Sequence, residues 1–321
     1  MRVASIGAIN WDINLFVEHL PKPDEEVRVL NITRTPGGTA ANVAVASARM
    51  LGPNEVAFLG ALGNDDIGRE QIRILKSEGV YTDAIKIVEG VESGQAYILI
   101  DRSGRNIINT FFGANLHVDK EYVNSPQVLN VLSKIRVLVV MDPPLEAAFE
   151  ILRIYNGLKI WDPGVYVNEG FNSLKEGLLK TNIFILNEVE ALSFFNSIDP
   201  SKIKDILSDI NSRAKVIIKR GAKGSRVIDL EKCVYADIPA LPMDKLGLRI
   251  VNTVGSGDAY IGALAAYLSI NYELYEAIKY ATCAGAYNAT RPETRGSPTR
   301  DILESLYDRA NRYLNIVEKS M

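Results

Sequence analysis

Cysteine and histidine are nearly missing: two of each stand among 321 residues. Cys233 and Cys283 cannot make a disulfide framework, and Cys283 sits in an apolar stretch suited to packing. His19 and His117 lie far apart without ligand spacing, which argues against a metal centre or histidine-based catalysis. No apolar run approaches a membrane span, and Met1-Arg2-Val3-Ala4-Ser5-Ile6 enters a strand pattern at once. A cytoplasmic protein with no signal peptide and no membrane partner is expected. A charge excess is lacking too: the net charge of −3 leaves no footprint for nucleic acid or an anionic membrane. There is no internal repeat, low-complexity tract or linker, so residues 1–321 are expected to form one domain. Two nucleotide signatures are absent. No G-x-x-x-x-G-K-[ST] occurs, and Gly255-Ser256-Gly257 fails to extend to G-x-G-x-x-G because Tyr260 holds the third glycine position.

What is present is an ordinary globular composition, 47 % hydrophobic and 23 % charged. Short apolar runs alternate with amphipathic stretches. Val3–Ile6, Val56–Leu59, Val137–Met141, Lys159–Trp161, Ile183–Leu186, Val216–Ile218 and Leu248–Val251 are expected as buried strands. Helix patterns cover Thr39–Leu51, Ile67–Glu78, Leu145–Tyr155, Glu188–Phe195 and Ile203–Asn211. Strands separated by helices imply right-handed βαβ units and a doubly wound, mainly parallel α/β sheet. Glu26–Thr35 and Gln95–Phe112 break the rhythm with strand-like alternation, the second around the turn signal Asp101-Arg102-Ser103-Gly104. They are expected to form a small antiparallel sheet off the main one, a lid drawn from about 12–36 and 92–115.

The chain is organised around Leu248–Leu268, where the turn Thr253-Val254-Gly255-Ser256-Gly257-Asp258 precedes a run of small residues. Gly255, Ser256 and Gly257 let backbone N–H groups approach a ligand, and at a helix N-terminus such groups bind anions. Asp258 would repel that anion, unless it takes the proton from a hydroxyl attacking phosphate. The plainer reading is a capped βα turn. Ligands of such sheets lie beyond the carboxyl ends of the strands. There Asn10 and Asp12 suit either vicinal hydroxyls or turn chemistry. Gly37-Gly38, before the helix carrying Asn42, allows close approach of a ligand or merely a tight turn. Asn187 and Glu190 have capping-box spacing, with a carboxylate near Mg²⁺ as the functional alternative. Lys219-Arg220-Gly221-Ala222-Lys223-Gly224 meets phosphate or joins two strands. Arg291 and Arg295 flank a proline-containing loop and are expected to be solvated, and Asp162-Pro163-Gly164 reads first as a turn, with a site role only through its place at a strand end.

Taken together and in order, several segments resemble the ribokinase-like (PfkB) carbohydrate kinases over essentially the whole chain. They are Gly7…Asn10-Trp11-Asp12, Gly37-Gly38…Asn42, Gly63-Asn64-Asp65-Asp66-Ile67-Gly68, Asn187…Glu190, Gly221…Gly224 and Thr253–Asp258. The resemblance implies a three-layer α/β sandwich with a β lid, and ATP-dependent phosphorylation of a hydroxymethyl group. It implies Asp258 as base and the backbone of Gly255, Ser256 and Gly257 as anion hole. Asn10, Asp12, Gly37, Gly38, Asn42 and Phe112 would surround the acceptor. Asn187, Lys219, Gly221, Gly224 and Thr253 would border the nucleotide, and Glu190 would organise Mg²⁺ through water. Relatives often pair their lids, so a homodimer is expected. Many members carry Asp where Asn252 stands, and it helps bind a monovalent cation, so that cation is in question here.

Within the family, Asn109–Asn115, Trp161–Gly164 and Lys219–Gly224 look closest to archaeal nucleoside kinases. The expected acceptor is therefore a nucleoside, phosphorylated at its 5′-hydroxyl, with Trp11, Phe111 and Phe112 as a base wall. The alternative is a sugar or sugar-phosphate kinase, for which Arg34, Arg102 and Arg105 offer basic groups. A non-catalytic nucleotide or nucleoside sensor is the alternative of another class, against which an intact Asp258 weighs.

Overall fold

The computed structural model describes residues 1–321. Its main sheet has nine strands, in the spatial order Val317–Ser320, Val234–Ile238, Ser225–Asp229, Lys215–Lys219, Ile183–Asn187, Leu158–Asp162, Val137–Met141, Val3–Gly7 and Val56–Leu59. The six from Lys215–Lys219 onward are parallel, and the three at the other edge are antiparallel. Continuous apolar strands such as Val137–Met141 are buried on both faces, as a covered parallel sheet requires. Alternate residues feed two cores. Val137, Val139, Ile183, Ile185 and Ile217 join one, while Leu138, Val140, Phe184, Leu186 and Val216 join the other. Helices cover both sides, which makes three layers. No helix is long and apolar enough to cross a membrane.

One packing contact determines where the chemistry sits. The helices Thr39–Leu51 and Ser256–Ser269 are rich in alanine, and a Cβ on Gly262 would come within 2.5 Å of the Ala46 Cβ. Their backbones approach closely because little side chain separates them. Ser47 Oγ then donates to the Gly262 carbonyl at 3.0 Å, fixing the register. Asn42 on one helix is thereby set against Asp258 on the other.

The lid is a four-stranded sheet ordered Val29–Gly37, Asn10–Val17, Gln95–Ile100 and Asn106–Phe111. Two of its pairings are antiparallel, and Asn10–Val17 runs parallel to Gln95–Ile100. Asp101 closes the hairpin by accepting from Ser103 N at 2.8 Å and Arg105 N at 3.1 Å. A third, two-stranded sheet joins Ala61–Gly63 to Lys86–Val88.

The expected strand at Leu248–Val251 does not form. Ile250 and Val251 are each 57 % exposed. The sheet position beside Lys215–Lys219 is already taken by Ser225–Asp229, and Val251 N and Asn252 N donate instead to the Ala289 carbonyl. The helix behind the glycine turn also begins earlier, at Ser256 rather than after Asp258.

Candidate active site

Five parallel strands end in Gly7, Met141, Asp162, Asn187 and Lys219, and the turns beyond them face the N-terminus of the Ser256–Ser269 helix. Gly255 caps that helix at φ 79°, and a Cβ there would run into the Thr294 carbonyl, so only glycine fits. The N–H groups of Gly257 and Asp258 have no partner in the protein. Asp258 lies in the first turn and does not cap the helix, so its carboxylate stays available.

Asn42, 6 % exposed, donates from Nδ2 to Asp258 Oδ2 at 2.8 Å. Burial pushes the Asp258 carboxyl up to about 6 and Asp162 adds to this, while Asn42, Lys219 and Arg295 pull it down. Asp12 stands on the lid strand across from this pair. Burial raises its carboxyl to about 7, Arg295 opposes that, and Asp258 reinforces it. A Cβ on Gly37 would collide with the Asp12 carboxylate and displace it. Gly38, at φ 91°, leaves space where a Cβ would press on Asn10 N at 2.6 Å. Asn10 Oδ1 accepts from Asn115 Nδ2 at 2.9 Å, which leaves its Nδ2 to donate. Phe112 follows the last lid strand and is 38 % exposed.

Lys219 Nζ bonds Asp162 Oδ2 at 2.8 Å, and a Cβ on Gly257 would lie 3.4 Å from it. Burial works against the ammonium, but Asp162, Glu190 and Asp258 together hold its pKa above the ordinary lysine value. A cation thus stands beside the free N–H groups. Asn187 and Glu190 do form a capping box, with Asn187 N to Glu190 Oε2 at 2.7 Å and Glu190 N to Asn187 Oδ1 at 2.8 Å. Burial and Asp162 raise the Glu190 carboxyl, which faces Lys219 as well. No group of three His, Cys, Asp or Glu side chains is arranged to hold a metal ion. Gly221 and Gly224 shape the turn between Lys215–Lys219 and Ser225–Asp229, and Thr253 is exposed just before the anion turn.

Two residues belong here that sequence reasoning did not find, and a third it set aside as a turn. Asp142 follows strand Val137–Met141 at φ 46° and accepts from Thr39 Oγ1 at 2.7 Å. Burial pushes it up to about 7, with Thr39 opposing and Asp162 and Asp258 adding. An Asp directly after an apolar strand and before Pro143-Pro144 was the available signal. Asp162, read first as part of a turn, is the buried partner of Lys219. Arg295 is the clear reversal: expected in solvent, it is 8 % exposed, and its Nε donates to Asn42 Oδ1 at 2.8 Å. Arg291 is solvated as expected.

Strand register sorts the remaining candidates. Asp12 pairs with Thr35 and Ala96, and Ala96 with Thr110, so these share one face of the lid with Asn14 and Thr33. Trp11, Ile13, Arg34, Tyr97 and Phe111 are on the other face. Arg102 pairs with Glu18 at 3.0 Å and Arg105 with Asp101 at 2.7 Å, both at the hairpin tip.

A family model described as pfkB family carbohydrate kinase matches residues 1–300. An ATP-dependent ribose-1-phosphate kinase of Halopiger xanaduensis is 28 % identical over 306 residues, covering 94 % of this chain and 97 % of its own length. The ribokinase of Bacillus subtilis is 29 % identical over 310 residues, 95 % of this chain and 98 % of that protein. Among solved structures, the ribokinase of Thermotoga maritima superposes with a TM-score of 0.84 at 28 % identity, over 96 % and 99 % of the two chains.

Proposed function

Since the chain belongs to the pfkB family of carbohydrate kinases and is a phosphotransferase acting on a hydroxyl, we propose that it transfers the γ-phosphate of ATP to the hydroxymethyl group of a ribosyl sugar. The observation that carries the reading is the convergence of Asp12, Asn42 and Asp258 beneath the lid face that bears Asn14, Thr33, Thr35 and Thr110. Asp12 and Asn42 bind sugar hydroxyls, and Asp258 receives the proton of the attacking hydroxyl. That oxygen bonds the γ-phosphorus while the bond to the bridging oxygen breaks, leaving ADP. The free N–H groups of Gly257 and Asp258, the helix dipole and Lys219 stabilise the transferring phosphoryl group.

Mg²⁺ fits this site only as a water-rich ion, because the protein offers single carboxylates rather than a cluster. Glu190 Oε1 is the free oxygen left by the capping box, and it would hold such an ion through water. Held there, such an ion would neutralise phosphate charge.

What favours a sugar over the expected nucleoside is the lid register together with the relatives' names. Trp11 and Phe111 sit on the face away from Asp12, where they cannot wall a base lying over it. A sugar phosphate needs convergent basic groups, yet Arg34 shares that outer face and Arg102 and Arg105 are paired elsewhere. The test is kcat/KM by coupled ADP release for ribose, ribose 1-phosphate, fructose 6-phosphate, adenosine and cytidine. We expect ribose to lead, as the lid arginines are turned away or paired. A nucleoside or a sugar phosphate that beats it would overturn the reading.

A further inference from the structure

The loop after the helix Leu274–Asn288 carries the one arginine that reaches the centre of the site. We propose that Arg295 is a positioning residue for phosphoryl transfer: through Asn42 it fixes the carboxylate of Asp258 for proton removal. The inference rests on the reading of Asp258 as base.

The geometry is a chain of one-way hydrogen bonds. Arg295 Nε donates to Asn42 Oδ1 at 2.8 Å, and Asn42 Nδ2 donates to Asp258 Oδ2 at 2.8 Å. A guanidinium can only donate and a carboxylate can only accept, so the amide between them has a single permitted orientation. Without Arg295, the Asn42 amide keeps its orientation from the Asp258 side alone and loses the contact that holds its other end. The same guanidinium donates from Nη2 to the Gly37 carbonyl at 2.9 Å, which ties the acceptor turn to the base.

Its burial is expensive and only partly compensated. Arg295 is 8 % exposed, its Nη1 has no partner, and Arg49 lies close enough to add like-charge repulsion. An apolar side chain would fill such a position at lower cost, so packing alone does not account for a guanidinium here. The loop is also anchored on purpose-built contacts. Arg49 Nη1 donates to the carbonyls of Arg295 at 2.7 Å and Ser297 at 2.8 Å, and Glu78 holds Arg49 by two bonds of 2.7 and 2.8 Å. Thr294 meanwhile packs its carbonyl against Gly255 of the anion turn.

The charges around the base make the role measurable. Lys219 and Arg295 favour the ionised Asp258, and Asp162 disfavours it; Asp12 and Asp142 are each coupled to it. Arg295 itself faces Asp12, Glu78, Arg49 and Asp258. Losing its charge should move the titration of the base upward; a disturbed Asn42 contact would do so as well, and Arg295→Lys, which keeps the charge, separates the two.

The experiment uses the full chain with its best acceptor. It compares Arg295→Met, Arg295→Lys and Asn42→Ala, alone and combined, by kcat, both KM values, melting temperature and the pH dependence of kcat. Arg295→Met should lower kcat roughly 10- to 100-fold and move the acidic limb upward by about half a unit or more. Arg295→Lys should keep the limb near its original position yet recover only part of the rate, because an ammonium cannot bridge Asn42 and Gly37 as a fork does. In the Asn42→Ala background, the further loss from Arg295→Met should shrink to within about threefold. If Arg295→Met does not fold, Arg295→Lys and its double mutant still report the split between rate and limb. An unmoved limb in Arg295→Met, or fully additive losses with Asn42→Ala, overturns the proposal. Asp258→Asn separates the two levels. Near-normal turnover there removes the base reading and this proposal with it, whereas an inactive Asp258→Asn beside an unmoved Arg295→Met limb removes only this proposal.

Discussion

Lowering the pH from 8 to 5 protonates Asp258, and turnover falls with it. Burial places this carboxyl at about 6, with Asn42, Lys219 and Arg295 preventing a larger rise. A group of that pKa is about nine-tenths ionised at pH 7 and about one-tenth at pH 5, so kcat drops about tenfold over that interval if only the ionised form acts. Asp12 and Asp142, each raised to about 7, are coupled to it. The limb is therefore broader than a single titration. The assay is initial-rate ADP release at saturating ATP and acceptor, from pH 5 to 9 at constant ionic strength. Asp258→Asn supplies the control: it should lose roughly 10²- to 10⁴-fold in kcat, lose the limb, and bind ATP nearly as before. A profile flat between pH 5 and 8, or near-normal turnover of Asp258→Asn, would refute the assignment.

Lys219→Met should cost roughly 10²- to 10³-fold in kcat by removing the cation beside Gly257. It should also destabilise the fold, since Asp162, 5 % exposed, is left buried and unpaired; adding Asp162→Asn should restore the melting temperature but not the rate, and recovery of both would contradict the role. Asp142→Asn should raise Tm at pH 8 and not at pH 3.5. The folded carboxyl is raised to about 7 from 3.8, so the native state loses stability as pH climbs through that window, and equal Tm changes at both pH values would count against it. Potassium should activate little over a large organic cation at constant ionic strength, because Asn252 Oδ1 is taken by Val254 N and Nδ2 donates to Pro292 O, both at 3.0 Å; several-fold activation would defeat this. The outer lid face, with Ile32 at 44 %, Tyr97 at 39 %, Ile107 at 42 % and Phe111 at 46 % exposure, should pair with a second copy; light scattering that gives a monomer mass throughout the micromolar range would exclude it.

The fold was legible wherever local pattern and burial agree. Val137–Met141 and Thr39–Leu51 form within the expected bounds because a doubly covered strand is uniformly apolar and a small-residue helix is capped by glycine. Leu248–Val251 looked equally apolar, yet the sheet had no vacancy for it, and occupancy of a sheet edge is a property of the whole topology. The antiparallel edge was missed for a related reason. Val234–Ile238 and Val317–Ser320 alternate polar residues through short stretches, and the second is exposed along its length, so neither carries the continuous apolar signal of an inner strand.

The site divides in the same way. Glycines that a Cβ would obstruct, at Gly38 and Gly255, announce themselves because backbone crowding and a positive φ admit no other residue. Asp258 is legible from them, since a carboxylate beside an anion turn conflicts with its own surroundings unless it has a task. Arg295 offers no such conflict in sequence: next to Pro292 and Glu293 it reads as one more loop cation. Its partners are 253 residues away at Asn42 and 258 away at Gly37, and the anchoring of its loop by Arg49 brings them within reach. A residue whose importance lies in orienting another's amide leaves no trace in its own neighbourhood. It becomes visible once donors and acceptors are followed, bond by bond, outward from the base.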